Sequence, residues 1–224
     1  MAFALSLPAV AYRVPLLHTP GMSSKKSTNV KWIIIAIVVL VAGTFAWLKF
    51  GGTELDRLKA RAEGGDAEAQ FQLAEQYSNQ APIAPPAGAD AAKQKARQEL
   101  LQQAAGWFVK AAKQGHAVAQ FRLAEIYEVG RGVQVDYGQS SHWFEESANQ
   151  GFAPAQQSLG MAYQFGEGVA KDNIEAFKWL QVAANNGDTN APTSLSDLSG
   201  ALKPEQIAEA KKKAAEFAPK QAKR

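Results

Sequence analysis

The chain has 224 residues, 46% of them hydrophobic and 20% charged, enough to bury a core, and its lack of cysteine excludes disulfides, thiolate nucleophiles and cysteine-based metal sites together. The formal charge is +3, yet residues 54–202 hold 12 basic and 18 acidic side chains, while residues 203–224 hold seven basic and three acidic ones. Nucleic-acid binding needs Lys and Arg gathered on one face to displace counterions from phosphates, and an acidic middle argues against that class.

At the amino end, residues 1–31 read as a disordered tail, with Pro8, Pro15 and Pro20 breaking any helix; Met22, followed by SSKKSTNVKW, would make a natural start. Residues 32–50 read as a transmembrane anchor. Residues 32–48 are uncharged, bounded by Lys31 and Lys49, and carry Trp32 and Trp47 near the two ends. As a helix they span roughly 25 Å against a hydrocarbon core about 30 Å thick, and snorkelling lysines make up the difference. The alternative is a cleavable signal peptide with a small-residue site near Thr44, Phe45 and Ala46, although apolar character continues through Trp47 and Leu48. Lys25, Lys26 and Lys31 lie close together without an acid among them, whereas Lys49, Arg57, Lys59 and Arg61 are interspersed with Glu54 and Asp56. Cation counts nearly tie; the adopted orientation puts the amino tail inside, which in a bacterium makes a single-pass inner-membrane protein with a periplasmic domain.

Beyond the anchor the sequence repeats. Trp107, Trp143 and Trp179 recur at 36 residues, as do Gly115, Gly151 and Gly187. Ala119, Gln120, Leu123 and Tyr127 return as Ala155, Gln156, Leu159 and Tyr163, and an earlier copy stands at Ala69, Gln70, Leu73 and Tyr77. A fixed period of this length is the signature of stacked supersecondary units. Residues 54–66 read as an amino-terminal capping half-repeat, and 67–116, 117–152 and 153–188 as three helix-pair repeats. The first holds 14 extra residues within 78–98, where Pro82, Pro85 and Pro86 signal a loop and the run from Ala91 a helix lengthened at its start. Residues 189–217 read as a degenerate half-repeat and a capping helix opening at Pro204, with Ile207, Ala210, Ala214 and Phe217 on one face; 218–224 form a basic tail.

Within each unit, alanine, leucine and tyrosine at four-residue spacing mark one helix face. The stretches YEVGRGVQVD and YQFGEGVAKD join the two helices: glycines take positive φ to end the first, the valine points into the core, and Asp136 or Asp172 caps the second, with Gln139 or Glu175 at capping-box spacing. A phosphate loop would need a lysine and a hydroxyl after the second glycine, or a preceding strand, and neither is present. The three histidines, His18, His116 and His142, show no converging metal-ligand spacing. Ser140, Ser141 and His142 are consecutive and point apart on a helix, as do Glu145 and Glu146. No catalytic, cofactor-binding or metal site is expected.

Residues 153–187 in particular, with Ala155, Gln156, Leu159, Gly160, Tyr163, Gly166, Gly168, Val169, Asp172, Ala176, Trp179, Ala183, Ala184 and Gly187, carry a pattern that resembles the Sel-one-like repeat family, relatives of the tetratricopeptide repeats. The second unit departs at Ala124, Ser140 and Ser147, and the first loses its Gly-x-Gly to the insertion. The resemblance covers about residues 55–190. It implies an all-α, right-handed superhelical solenoid of about three helix pairs with a carboxy-terminal cap, here preceded by one transmembrane helix, and a non-enzymatic adaptor or scaffold for other envelope proteins. The alternative is a cell-wall enzyme or β-lactam-binding protein, but relatives linked to such activity carry paired cysteines that this chain lacks. The resemblance also puts first helices on the concave side, which nominates Gln72, Glu75, Arg122, Glu125, Ser158 and Met161 as protein-binding residues.

Overall fold

The computed structural model describes residues 37–39, 41, 52–81 and 90–219. By its contacts the chain divides into two units, Met1–Trp47 and Leu48–Arg224. In the first, residues 37–39 and 41 are helical and exposed. The remainder of the expected anchor lies outside the described residues, as do the expected amino tail, the proline loop at 82–89 and residues 220–224. Among the described residues no helix is long and apolar enough to cross a membrane.

The second unit is an all-α solenoid. Its described helices are α1 (Glu54–Glu63), α2 (Ala67–Gln80), α3 (Ala91–Lys113), α4 (Ala117–Val129), α5 (Tyr137–Asn149), α6 (Ala153–Phe165), α7 (Asn173–Asn185), α8 (Ala191–Ser199) and α9 (Pro204–Ala215). Helices α2 and α3, α4 and α5, and α6 and α7 pair within units, while α1 with α2, α3 with α4, and α5 with α6 join neighbours; α8 and α9 both close on α7. Side chains start the helices: Asp66 accepts from the Ala69 amide at 3.0 Å, Asp136 from Gln139 at 2.9 Å, and Asp172 from Ile174 at 2.8 Å and Glu175 at 3.1 Å. Each such cap is worth about 1 kcal/mol. The reciprocal half of the box differs from expectation: it closes between Thr53 and Asp56, whereas Glu175 turns to Lys178 and Lys213.

The repeated positions are core. Leu73, Leu123 and Leu159 are at most 1% exposed, each side chain contributing about 2–3 kcal/mol by leaving water. Ala69, Ala119 and Ala155 are fully buried, small enough for adjacent helices to touch. The tryptophans form a seam: Trp107 packs against the clusters of both α1–α2 and α2–α4, Trp143 against those of α2–α4 and α4–α7, and Trp179 lies within the latter. Ser147, a departure from the repeat's alanine, is buried because its hydroxyl donates to the Ala117 carbonyl at 2.8 Å. At the carboxy end Phe217 meets Trp179 edge-on at 5.3 Å, and Ala210 and Ala214 bury the inner face of α9.

A polar ladder runs through this apolar stack. Gln70, Gln120 and Gln156 are at most 5% exposed. Each donates its amide to a carbonyl eight residues back, at Ala62, Ala112 and Ala148, at 3.0–3.1 Å. Each also accepts from a side chain at the end of its own unit's second helix: Gln114 at 2.7 Å, Gln150 at 2.6 Å and Asn186 at 2.8 Å. Each carbonyl, which also accepts the backbone amide three residues on, thus takes a second hydrogen bond from the next unit, so that every joint carries the same cross-unit bond and each unit the same internal one.

The insertion lengthens α3 to 23 residues against 13 for α5 and α7. Leu101 stands where Tyr137 begins α5, so the extra helix, roughly 15 Å long, precedes it. It is largely exposed.

Candidate protein-binding surface

The joining loops are occupied by architecture. Gly166, at φ 77°, ends α6 in the left-handed region, and Gly168, at φ 73°, lies so close to α5 that a Cβ there would fall 1.9 Å from the Tyr137 carbonyl oxygen. The Ser141 hydroxyl donates to the Glu167 carbonyl from below. In the preceding unit Gly132 meets Leu101 of α3 the same way, at 2.6 Å. The second glycine therefore seats each loop on the previous unit's second helix and leaves no cradle for a phosphate.

His116 also has a structural task that its sequence position concealed. The Ala119 amide can only donate, so Nδ1 of His116 accepts from it at 3.1 Å and caps α4, leaving Nε2 to donate to Glu68 at 3.0 Å across the joint. The ring stacks on Phe71 with centroids 4.7 Å apart. The bond from His116, reinforced by one from Gln72, holds the Glu68 carboxyl below its ordinary range. His142 is exposed beside Trp143, and among the described residues no group of acidic and histidine side chains converges as a metal site.

The open surface lies on the first helices. A groove of about 460 Å³ runs between α2 and α4, floored by Phe108, Ile126 and Ala81 and rimmed by Glu75, Arg122, Glu125, Glu128, Val129 and Arg131. Three of the six nominated residues meet there: Arg122 pairs through Nε with Glu75 at 3.2 Å and donates from Nη1 to Glu125 at 2.9 Å. Burial opposes the Arg122 charge, but the bonds and attraction of Glu125 and Glu75 outweigh it and raise its pKa. Gln72 lies apart, bordering a hollow with Glu54, Leu55, Leu58 and Gln76. Met161 occupies in α6 the register of Glu75 and Glu125, half-exposed and touched by the Gln157 amide; Ser158 sits one turn before it.

The sequence reading missed the apolar side chains beside the groove and its third acid. Val129 and Phe165, 58% and 60% exposed, stand 36 residues apart at the last position of their helices. Their signal was legible: each follows a repeat tyrosine by two residues, off the face already assigned to packing. Glu128 lies half-buried beside them, its carboxyl raised above the ordinary range by desolvation and then by repulsion from Glu167 and Glu125.

Paired antiparallel helices repeated at a fixed interval, with a first-helix face left open, define an α-helical repeat protein of the solenoid class. The Sel1 repeat family model matches residues 100–116, 117–152 and 153–188. A Sel1 repeat protein from Oxalobacter formigenes superposes with a TM-score of 0.52 at 36% identity, over 64% of this chain and 98% of that one. The chain belongs to the Sel1 repeat family. A second solved structure, c5321, a protective antigen of uropathogenic Escherichia coli strains with an SLR fold, superposes with a TM-score of 0.53 at 26% identity, over 84% of this chain and 46% of that one. The chain thus spans about half the length of c5321. No curated protein matches the sequence.

Proposed function

We propose that this protein is a membrane-anchored, non-enzymatic adaptor that holds other proteins together in a bacterial cell envelope. Sel1 repeats serve generally as protein-interaction scaffolds, and both structural relatives come from bacteria. The observation that carries the reading is the division of labour along the stack. Side chains that recur between units, including the alanines, leucines and glutamines, are consumed by packing and by the ladder. The open first-helix positions change along the stack: Glu75 and Glu125 give way to Met161 in one register, and Asn79, Val129 and Phe165 differ in another. A surface released from the repeat pattern is what a partner-selecting face requires. The apolar residues 32–48 supply the anchor in this reading and the periplasm its compartment.

The lack of native cysteine makes a direct test available. A single cysteine at exposed Glu63, in the full chain expressed in a bacterial inner membrane, should react with a membrane-impermeant maleimide on spheroplasts; protection until lysis refutes the periplasmic placement. Photo-cross-linkers at Glu125 and Phe165 in native membranes should capture a defined protein that the same probe at Glu209 on α9 does not; capture of nothing from any position on the first helices refutes the adaptor.

A further inference from the structure

Resting on the adaptor reading, we infer that the groove between α2 and α4, continued by Val129, Met161 and Phe165, takes a cationic segment of a partner protein whose Lys or Arg side chains alternate with bulky apolar ones. Three independent features of the surface specify that chemistry. First, the groove has depth: Phe108 and Ile126 close its base at 1% and 8% exposure and Val129, 58% exposed, supplies open apolar surface at its edge, so a side chain entering it is enclosed rather than laid on a flat surface. Second, its apolar row extends outward. Val129 and Phe165 are more than half exposed at equivalent ends of α4 and α6, and Met161 lies one turn before Phe165. Exposed apolar side chains at the same end of successive first helices, with Val129 on the rim of the groove, are the pattern of a contact surface rather than of scattered exposure.

Third, carboxylates outnumber cations on the groove's rim. Arg122 is already claimed by Glu75 and Glu125. Arg131 is the other cation on the rim, against Glu75, Glu125 and Glu128, with Glu167 near enough to repel Glu128. Glu128 is held half out of water among like charges, an arrangement that costs the free protein stability and that a guanidinium or ammonium from outside would relieve. An acidic segment would meet three carboxylates, and a purely apolar one would strip water from them without replacement, so the occupant must bring cations as well as apolar side chains. The polarity is also directional: carboxylates gather at α2 and α4, whereas α6 presents Ser158, Met161 and Phe165. The cationic part of the segment therefore faces the first two repeats and a bulky apolar residue faces the third.

The test uses the full chain in neutral-detergent micelles, with protein-free micelles as the blank. The probe is a fluorescein-labelled peptide alternating Lys with Leu and Phe; the control is the same peptide with Glu in place of Lys. Anisotropy should show the cationic peptide bound and the acidic one not. Glu125→Gln with Glu128→Gln should weaken binding about tenfold or more and flatten its salt dependence, whereas Phe165→Ser should weaken it about tenfold with the salt dependence kept. Glu209→Gln, on the far side of α9, should change nothing. Each variant is first shown to unfold at or above the wild-type thermal transition. Equal binding of the acidic peptide, or insensitivity of the cationic one to the double substitution, overturns the inference. If cross-linking at Phe165 captures a protein through an acidic segment, this inference falls while the adaptor stands. If no first-helix position captures a protein at all, the adaptor reading itself has failed.

Discussion

Replacing Gly168 by alanine separates what its backbone needs from what its neighbour needs. At φ 73° an alanine pays roughly 1–2 kcal/mol for the left-handed conformation. Its Cβ would also fall 1.9 Å from the Tyr137 carbonyl oxygen and 2.6 Å from the Ser141 hydroxyl, so the loop must lift from α5 and the bond from Ser141 to Glu167 is lost, worth about 1 kcal/mol more. The sum is about 2–3 kcal/mol. Gly166 provides the internal control: its φ is 77°, but its nearest neighbour is the Lys171 Cβ at 3.4 Å, so Gly166→Ala carries only the conformational cost of about 1–2 kcal/mol. Guanidinium unfolding followed by tryptophan fluorescence reads both, with Trp143 and Trp179 packed in neighbouring parts of the stack. Because solenoid units unfold with partial independence, the loss should concentrate in the transition of the third repeat and its cap. If Gly168→Ala costs no more than Gly166→Ala, the close seat of this loop on α5 is not what joins the repeats.

Gln156→Leu should cost about 1–3 kcal/mol in the same titration despite its apolar volume, because it removes the donor to the Ala148 carbonyl, which keeps only its backbone partner Gly151, and leaves the Asn186 amide without its acceptor; a cost under about 0.5 kcal/mol refutes the ladder as a joint. The pH dependence has two opposed parts. Glu68, bonded by His116, and Glu175, whose bonds from Lys213 and Lys178 outweigh the effect of its burial, have folded pKa values below the unfolded ones. Their stabilisation is complete above the ordinary glutamate value and lost as pH falls from there through the lowered folded one, so the thermal transition should drop in acid and Glu175→Gln should reduce that drop. Glu128 is shifted upward, chiefly by desolvation, so its ionised form destabilises at neutral pH. Glu128→Gln should raise the neutral-pH transition and lose that advantage in acid; no gain at neutral pH refutes the placement of an uncompensated carboxylate there.

Much of the architecture was legible without coordinates, because stacking imposes its period directly on the text. The leucine, alanine and tryptophan intervals located the seam, and the aspartates before the second helices marked caps that the structure confirms at Asp136 and Asp172. The lengthened start of α3 followed from the offset of Gln70 relative to Gln120. Local chemistry was less transparent. Glu175 sits at capping-box spacing, yet its partner is Lys213, 38 residues away on α9, a competitor that no local rule reveals. His116 occupies an aspartate's position and caps as one, because Nδ1 accepts a hydrogen bond and Nε2 reaches the previous unit.

The candidate surface shows the same boundary. By itself, the sequence determined that the chain is a stack of helix pairs, since burying one face of every unit against the next demands small and bulky residues at fixed intervals. Only the tertiary structure decided which of the remaining polar side chains meet. Arg122 joins Glu75 across two helices 47 residues apart, and Glu128 is left among carboxylates from its own helix and from the loop after α6. Packing repeats because the same joint is built again and again, whereas charge pairing across a joint depends on distance and burial that exist only once the units are stacked.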